Sequence, residues 1–299
     1  MTDNFKNNNQ LLFTCSSGNY EGFIEKTISI SRDISNSSIF ISCQKYDSGL
    51  VLHPTILNVS NNSFTMIVSN KDSDGKGSGG DIDACFNYII FFNPTQLNYL
   101  VDNNQLIYSG KSNMGQGTSG EDRFFSVSNY NDYKCFVMPY LENDTENDTL
   151  KSIDNIALYI KNVPTGTFPG FYAYGHYKDG RGNRDGGGLY NDYYFWIAIH
   201  NNIIDYKKDG SSIIKVGNTT TSSGSVVVTH NLNTDNYFIL LTPIRPVNHI
   251  NNFYYNLQYE NKGENTFTVI SFERDGSDGQ HGGFNNKSHP FNWAVIRND

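Results

Sequence analysis

One arrangement of landmarks occurs three times in this sequence, and that recurrence limits the fold more than any other feature. In the last third it runs as an aromatic strand over 267–272, a glycine-rich polar loop opened by Asp275-Gly276, and a closing apolar strand, Phe291-Asn292-Trp293-Ala294-Val295-Ile296. The same order stands at 64–68, Asp74-Gly75 and Phe86-Asn87-Tyr88-Ile89-Ile90, and again at 171–174, Asp179-Gly180 and Phe195-Trp196-Ile197-Ala198-Ile199. Aligned on Phe86, Phe195 and Phe291, the copies are 109 and 96 residues apart; aligned on the Asp-Gly pairs, 105 and 96. Solenoid units run to roughly 20–50 residues and cannot stand alone. Copies of about a hundred residues bury about 60–70% of their unfolded surface, enough for each to own a core. The reading is three diverged copies of one domain: a tail at 1–10, repeats at 11–94, 105–200 and 212–299, and linkers at 95–104 and 201–211.

Each copy opens on an apolar run that ends in glycine, at Gly18, Gly110 and Gly217. Period-two stretches such as Thr27-Ile28-Ser29-Ile30-Ser31 follow, which is the pattern of a half-buried strand. Six such runs separated by turn residues suit a β-sandwich. No period of 3.6 persists for ten residues, and charged residues make up only 17% of the chain, which disfavours helix. The expected fold is all-β: three tandem antiparallel β-sandwiches of about six strands each, compatible with a pseudo-threefold arrangement. The register of the closing strand stays open, because the second copy also matches through Trp196, and a one-residue slip exchanges the two faces.

A net charge of −8 without any Lys/Arg cluster excludes a nucleic-acid backbone as partner and disfavours an anionic membrane surface. The first ten residues lack the apolar core of a signal peptide, and no apolar run reaches the length of a membrane span, so membrane insertion is not expected. Cys15, Cys43, Cys85 and Cys135 have no C-x-x-C spacing, and the last copy has no cysteine. They read as free, partly buried thiols.

The opening strand ending in glycine, the polar loop and the terminal Phe195-Trp196-Ile197-Ala198-Ile199 resemble the C-terminal domains of bacteriophage tail-fibre proteins and, more distantly, H-type lectin domains. Phe291-Asn292-Trp293-Ala294-Val295 follows the same ending loosely, and Phe86-Asn87-Tyr88-Ile89-Ile90 lacks its alanine. The resemblance implies a compact six-stranded sandwich that works as a trimer at the tip of a virion appendage and contacts cell-surface carbohydrate or protein. Here all three copies share one polypeptide, so a covalent pseudo-threefold unit would stand where three chains otherwise do. The implied partners are other virion proteins and a host surface glycan or protein, and the implied location is the virion. Alternatives are a structural virion protein, such as a capsid decoration, head-fibre base or tail collar, and a soluble lectin.

For recognition, the second copy carries a loop with His176, Arg181 and Arg184 flanked by Tyr172, Tyr174 and Tyr190. Tyrosine with arginine, asparagine and glycine supplies stacking area and adaptable hydrogen bonds. The plainer reading makes some of these tyrosines core and the rest an exposed strand face. The Asp/Gly loop 72–83 has carboxylates on a glycine-bearing turn, as a hard cation would want. It lacks a terminal bidentate glutamate, and the last copy keeps the glycines without the acids, so a polar hairpin loop is the expectation. The seven histidines form no H-x-H or H-x-x-x-H pair, and there is no Gly-x-Ser-x-Gly elbow or P-loop. No metal, no cofactor and no catalytic residue is predicted.

Overall fold

The computed structural model describes residues 5–7, 10–20, 25–44, 50–72, 84–92, 100–101, 104–105, 107–113, 123–126, 132–140, 153–163, 170–179, 187–188, 193–201, 203, 207–208, 211–245, 253–275, 285–286 and 288–298. Among these the protein is all-β, with no α-helix and no helix long and apolar enough to cross a membrane. Eighteen principal strands fall six to a third. In the first third they are β1 Gln10–Tyr20, β2 Lys26–Ser29, β3 Ser38–Cys43, β4 Leu50–Val59, β5 Ser63–Asp72 and β6 Ala84–Phe91. In the second they are β7 Ile107–Asn113, β8 Arg123–Ser126, β9 Tyr133–Tyr140, β10 Ile153–Val163, β11 Gly170–Asp179 and β12 Tyr193–His200. In the last they are β13 Ile214–Thr220, β14 Ser225–Thr229, β15 Tyr237–Pro243, β16 Phe253–Glu260, β17 Thr266–Asp275 and β18 Pro290–Arg297.

The pairing repeats with the sequence. The sixth strand of each third lies antiparallel between its first and third strands. The fifth lies antiparallel between its second and fourth. Two three-stranded sheets, ordered 1-6-3 and 2-5-4, therefore recur three times. Both linkers also carry a short ladder, Leu100–Val101 with Asn104–Gln105 and Lys207–Lys208 with Ser211–Ser212.

The register corrects the alignment on Phe86, Phe195 and Phe291. Gly18 pairs with Phe86, Gly110 with Trp196 and Gly217 with Trp293, so the counterpart of Phe86 is each tryptophan, at steps of 110 and 97 residues. The cause is steric. The aromatic ring lies over the bare Cα of the glycine opposite, where a β-carbon would come within 2.9 Å of Phe86 Cζ, 3.0 Å of Trp196 Nε1 and 2.5 Å of Trp293 Cζ2. Phe195 is one position out of step, and this places it on the other face of its sheet.

That other face matters because the 1-6-3 sheets are buried on both sides. Ser38–Cys43 is buried at all six positions and Tyr133–Tyr140 at seven of eight, whereas Lys26–Ser29 and Ser225–Thr229 alternate with solvent-exposed positions. A sheet covered on both faces reads as an unbroken apolar run, and one with a wet face reads as an alternation. One face of each 1-6-3 sheet meets the 2-5-4 sheet of its own third. In the last third this puts Tyr237, Ile239, Phe291 and Val295 against Val228, Phe267, Val269 and Tyr259. The opposite faces meet each other. Phe40, Ile89 and Phe91 from the first third, Ile107, Ile197 and Ile199 from the second, and Ile214, Phe238 and Ile296 from the last belong to one continuous cluster. The expectation that each third owns its core is thus incomplete, since a central core is drawn from all three.

Three parallel bridges close the arrangement. Tyr140, ending β9, pairs with Ile56 of β4; Ile244, just past β15, pairs with Ile160 of β10; and Gln44, just past β3, pairs with Tyr259 of β16. Ile56, Ile160 and Tyr259 are counterparts, lying opposite Met66, Ala173 and Val269 at matching positions of the three fifth strands. The third strand of the second copy joins the first copy, that of the last joins the second, and that of the first joins the last. This is a cyclic set of heterologous contacts, the geometry that generates a ring when the rotation closes.

Candidate functional site

Strand direction decides where recognition segments leave the scaffold. In each third the first and third strands run opposite to the sixth, and the second and fourth opposite to the fifth. The ends joined by connections one-to-two, three-to-four and five-to-six therefore share one end of each sandwich. The pairs Tyr20↔Ala84, Cys43↔Phe86 and Leu50↔Asp72 mark that end in the first third.

The predicted site divides. Tyr172, Tyr174 and His176 lie on β11, opposite Lys161, Tyr159 and Ala157 of β10. They take the register positions alternate to Phe171 and Ala173, both of which are fully buried inside the sandwich. Three of the predicted residues are therefore brought to alternate register positions of one strand. Arg181, Arg184 and Tyr190 lie outside the described residues, as does most of the Asp/Gly loop 72–83. None of the four cysteines is in a disulfide; Cys15, Cys43 and Cys135 are buried and Cys85 is exposed. Burial, with a smaller contribution from Cys85, pushes the Cys43 thiol up to about 12, so this sulfur is not a nucleophile at neutral pH.

Two sites were not legible in the sequence. The first is a cavity of about 70 Å³ where the ends of the three third strands converge, lined by Ser42 and Cys43 from the first copy, Val137 to Pro139 from the second and Leu241 and Pro243 from the last. His53 of β4 and Asn256 of β16 complete its polar wall. No sequence signal marks it, because its residues come from five strands and acquire a common role only when the ring closes.

The second is a buried polar cluster at one end of the last sandwich. His289 Nε2 lies 2.6 Å from Glu273 Oε2, and the His289 amide donates to Thr221 Oγ1 at 2.8 Å. Thr221 Oγ1 is in turn 2.7 Å from Ser271 Oγ. All four residues are buried. The cluster ties the start of the closing strand to β17. Among the described residues no three His, Cys, Asp or Glu side chains gather as metal ligands would.

No protein-family model and no curated protein matches this sequence.

Proposed function

We propose that this chain is a non-enzymatic bacteriophage virion protein, a tail-fibre or tail-tip component that binds a host surface receptor or glycan through its loops. The observation that supports it is the cyclic closure of three six-stranded sandwiches. A trimeric appendage tip needs three sandwiches around an axis, and this polypeptide provides them in one chain. The longest connection of each third, from the fifth strand to the sixth, leaves from the same end of its sandwich as the one-to-two and three-to-four connections, the placement of binding loops on a rigid framework. The second third contributes the tyrosine and arginine set, Tyr172, Tyr174, His176, Arg181, Arg184 and Tyr190.

A structural virion role, with the loops gripping other virion proteins, draws on the same ring, because a pseudo-threefold body also fits beneath or between threefold assemblies. The two separate experimentally. Saturable binding of the purified chain to bacterial cells or to an array of bacterial surface glycans, weakened at least tenfold by joint Arg181→Ala and Arg184→Ala substitution, supports recognition. Absence of such binding, with capture on capsid or tail particles, supports the structural role.

A further inference from the structure

The joint between the first and last thirds buries amide atoms that nothing satisfies. Gln258 of β16 is fully buried, and neither its Oε1 nor its Nε2 has a hydrogen-bond partner. Its cross-strand neighbour is Ile270, which packs with Phe272 and with Val51 of β4 in the first third. Cross-strand neighbours share a face, so the amide lies in that joint. Asn256, two residues earlier, is on the same face. Its Nδ2 donates to the Leu52 carbonyl at 3.0 Å, which fixes the amide orientation and leaves the buried Oδ1 without a donor. All three atoms are closed to water. Each costs about a factor of ten in an equilibrium constant while the joint is shut, and opening the joint returns it to water.

The topology weakens the same joint. The first and second thirds share one six-stranded sheet, β7-β12-β9-β4-β5-β2. The second and last thirds have their donors answered: Asn292 Nδ2 donates to the Cys135 carbonyl at 2.9 Å, the Val137 amide to Thr242 Oγ1 at 3.2 Å and the Arg245 amide to the Ile160 carbonyl at 2.8 Å. Both pairs of thirds follow one another in the chain, with bridging residues 84 positions apart, whereas Gln44↔Tyr259 closes the last joint over 215. Closing the longer loop loses more chain entropy. Hydrogen bonds from Ser42 and Asn87 hold that joint shut, against the buried amides.

We propose that the ring works as a clasp: the joint between the first and last thirds opens reversibly in the folded protein while the other two stay shut, and Gln258 and Asn256 set how often it does so. The clasp goes beyond recognition by the loops and does not depend on it.

The chain carries its own probes. Cys15 and Cys43 are buried at two places along the joint: the Cys15 thiol donates to Asn298 Oδ1 of the last third at 3.3 Å, and Cys43 shares a cavity wall with Asn256 and Leu257. Cys135 is buried in the second third, at a joint that stays shut. A thiol reagent attacks only a cysteine that an opening has exposed. In the full-length wild-type protein without denaturant, peptide mass spectrometry should find Cys15 and Cys43 labelled together, at least about tenfold faster than Cys135. Gln258→Met removes both partnerless atoms at similar side-chain length, and it should slow Cys15 and Cys43 at least about tenfold. Equal wild-type rates at the three buried thiols would overturn the clasp, as would Cys43 reacting without Cys15, the mark of a fraying strand end. A Gln258→Met protein that labels as fast as wild type, or that fails to fold, would equally overturn it, because the amide would then not be what loosens the joint.

Discussion

Gly217 has no room for a β-carbon, because the indole of Trp293 occupies that space. Gly217→Ala must push the ring out of the sandwich core or bend the strand, a clash in the range of about 1–3 kcal/mol for overpacking. Thermal or denaturant unfolding should show that loss. In the double variant with Trp293→Leu, the penalty for the alanine should shrink to a few tenths, since coupled neighbours do not add. Equal penalties in the two backgrounds would mean that the ring is not the reason for the glycine. His230 is a second residue with a readable consequence. Burial, and secondarily the charge of Lys262, lower its pKa to about 4 from an ordinary 6.5, and its ring lies edge-on to Tyr237 at 4.4 Å. The unfolded chain takes up the proton first. The stabilisation is complete above about pH 6.5 and is lost as pH falls towards 4. Denaturant midpoints at pH 7 and pH 4.5 should differ more for the wild-type protein than for His230→Phe; an unchanged difference would clear His230 of that role.

At the level of strands, the joint between the first and last thirds is the informative one, because no chain segment directly connects them. Asn87 Nδ2 donates to the Tyr259 hydroxyl, Ser42 Oγ to the Ile239 carbonyl, and Asn256 to Leu52, all across that joint. Asn87→Ala leaves the buried phenol without its donor and should cost about 1–3 kcal/mol, with Tyr259→Phe nearer 1 kcal/mol. Equilibrium unfolding of the two single variants and the double would show coupling between them. The existence of the strands was legible because their periodicity followed their environment. The alternating run Lys26–Ser29 became a strand with one wet face, whereas Ser38–Cys43, read as a second alternating run, is buried at all six positions because its sheet is covered on both faces. Phe253–Glu260 was missed because its sequence, FYYNLQYE, mixes tyrosine with amides, and its polar positions are partly covered by another third: Asn256 is held by Leu52, and Gln258 is fully buried. The closing-strand register was ambiguous for a similar reason. When both faces are buried, Phe195 and Trp196 are equally apolar, and only the glycine opposite distinguishes them.

For the molecule as a whole, the question is whether three sandwiches sit in a row or close on themselves. The chain exposes 13656 Å². One compact protein of this mass should expose roughly 12,700 Å², and three separate domains of a third the mass roughly 17,100 Å² in total. The observed area is much nearer the first, in keeping with a shared central core. No sequence signal could report this, because the bridges that make it join residues 84, 84 and 215 positions apart. Residues 201–299 expressed alone would expose Ile214, Phe238, Leu240 and Ile296, all now buried in the central cluster. That fragment should fail to unfold cooperatively as a monomer in a thermal melt, whereas a sharp monomeric transition would show that the thirds are autonomous. The most direct test is small-angle X-ray scattering of the purified chain in dilute solution. A closed ring predicts a radius of gyration of about 19 Å, the value for a compact protein of this length, whereas three domains of about 13 Å each strung in a line would give about 30 Å and contradict it.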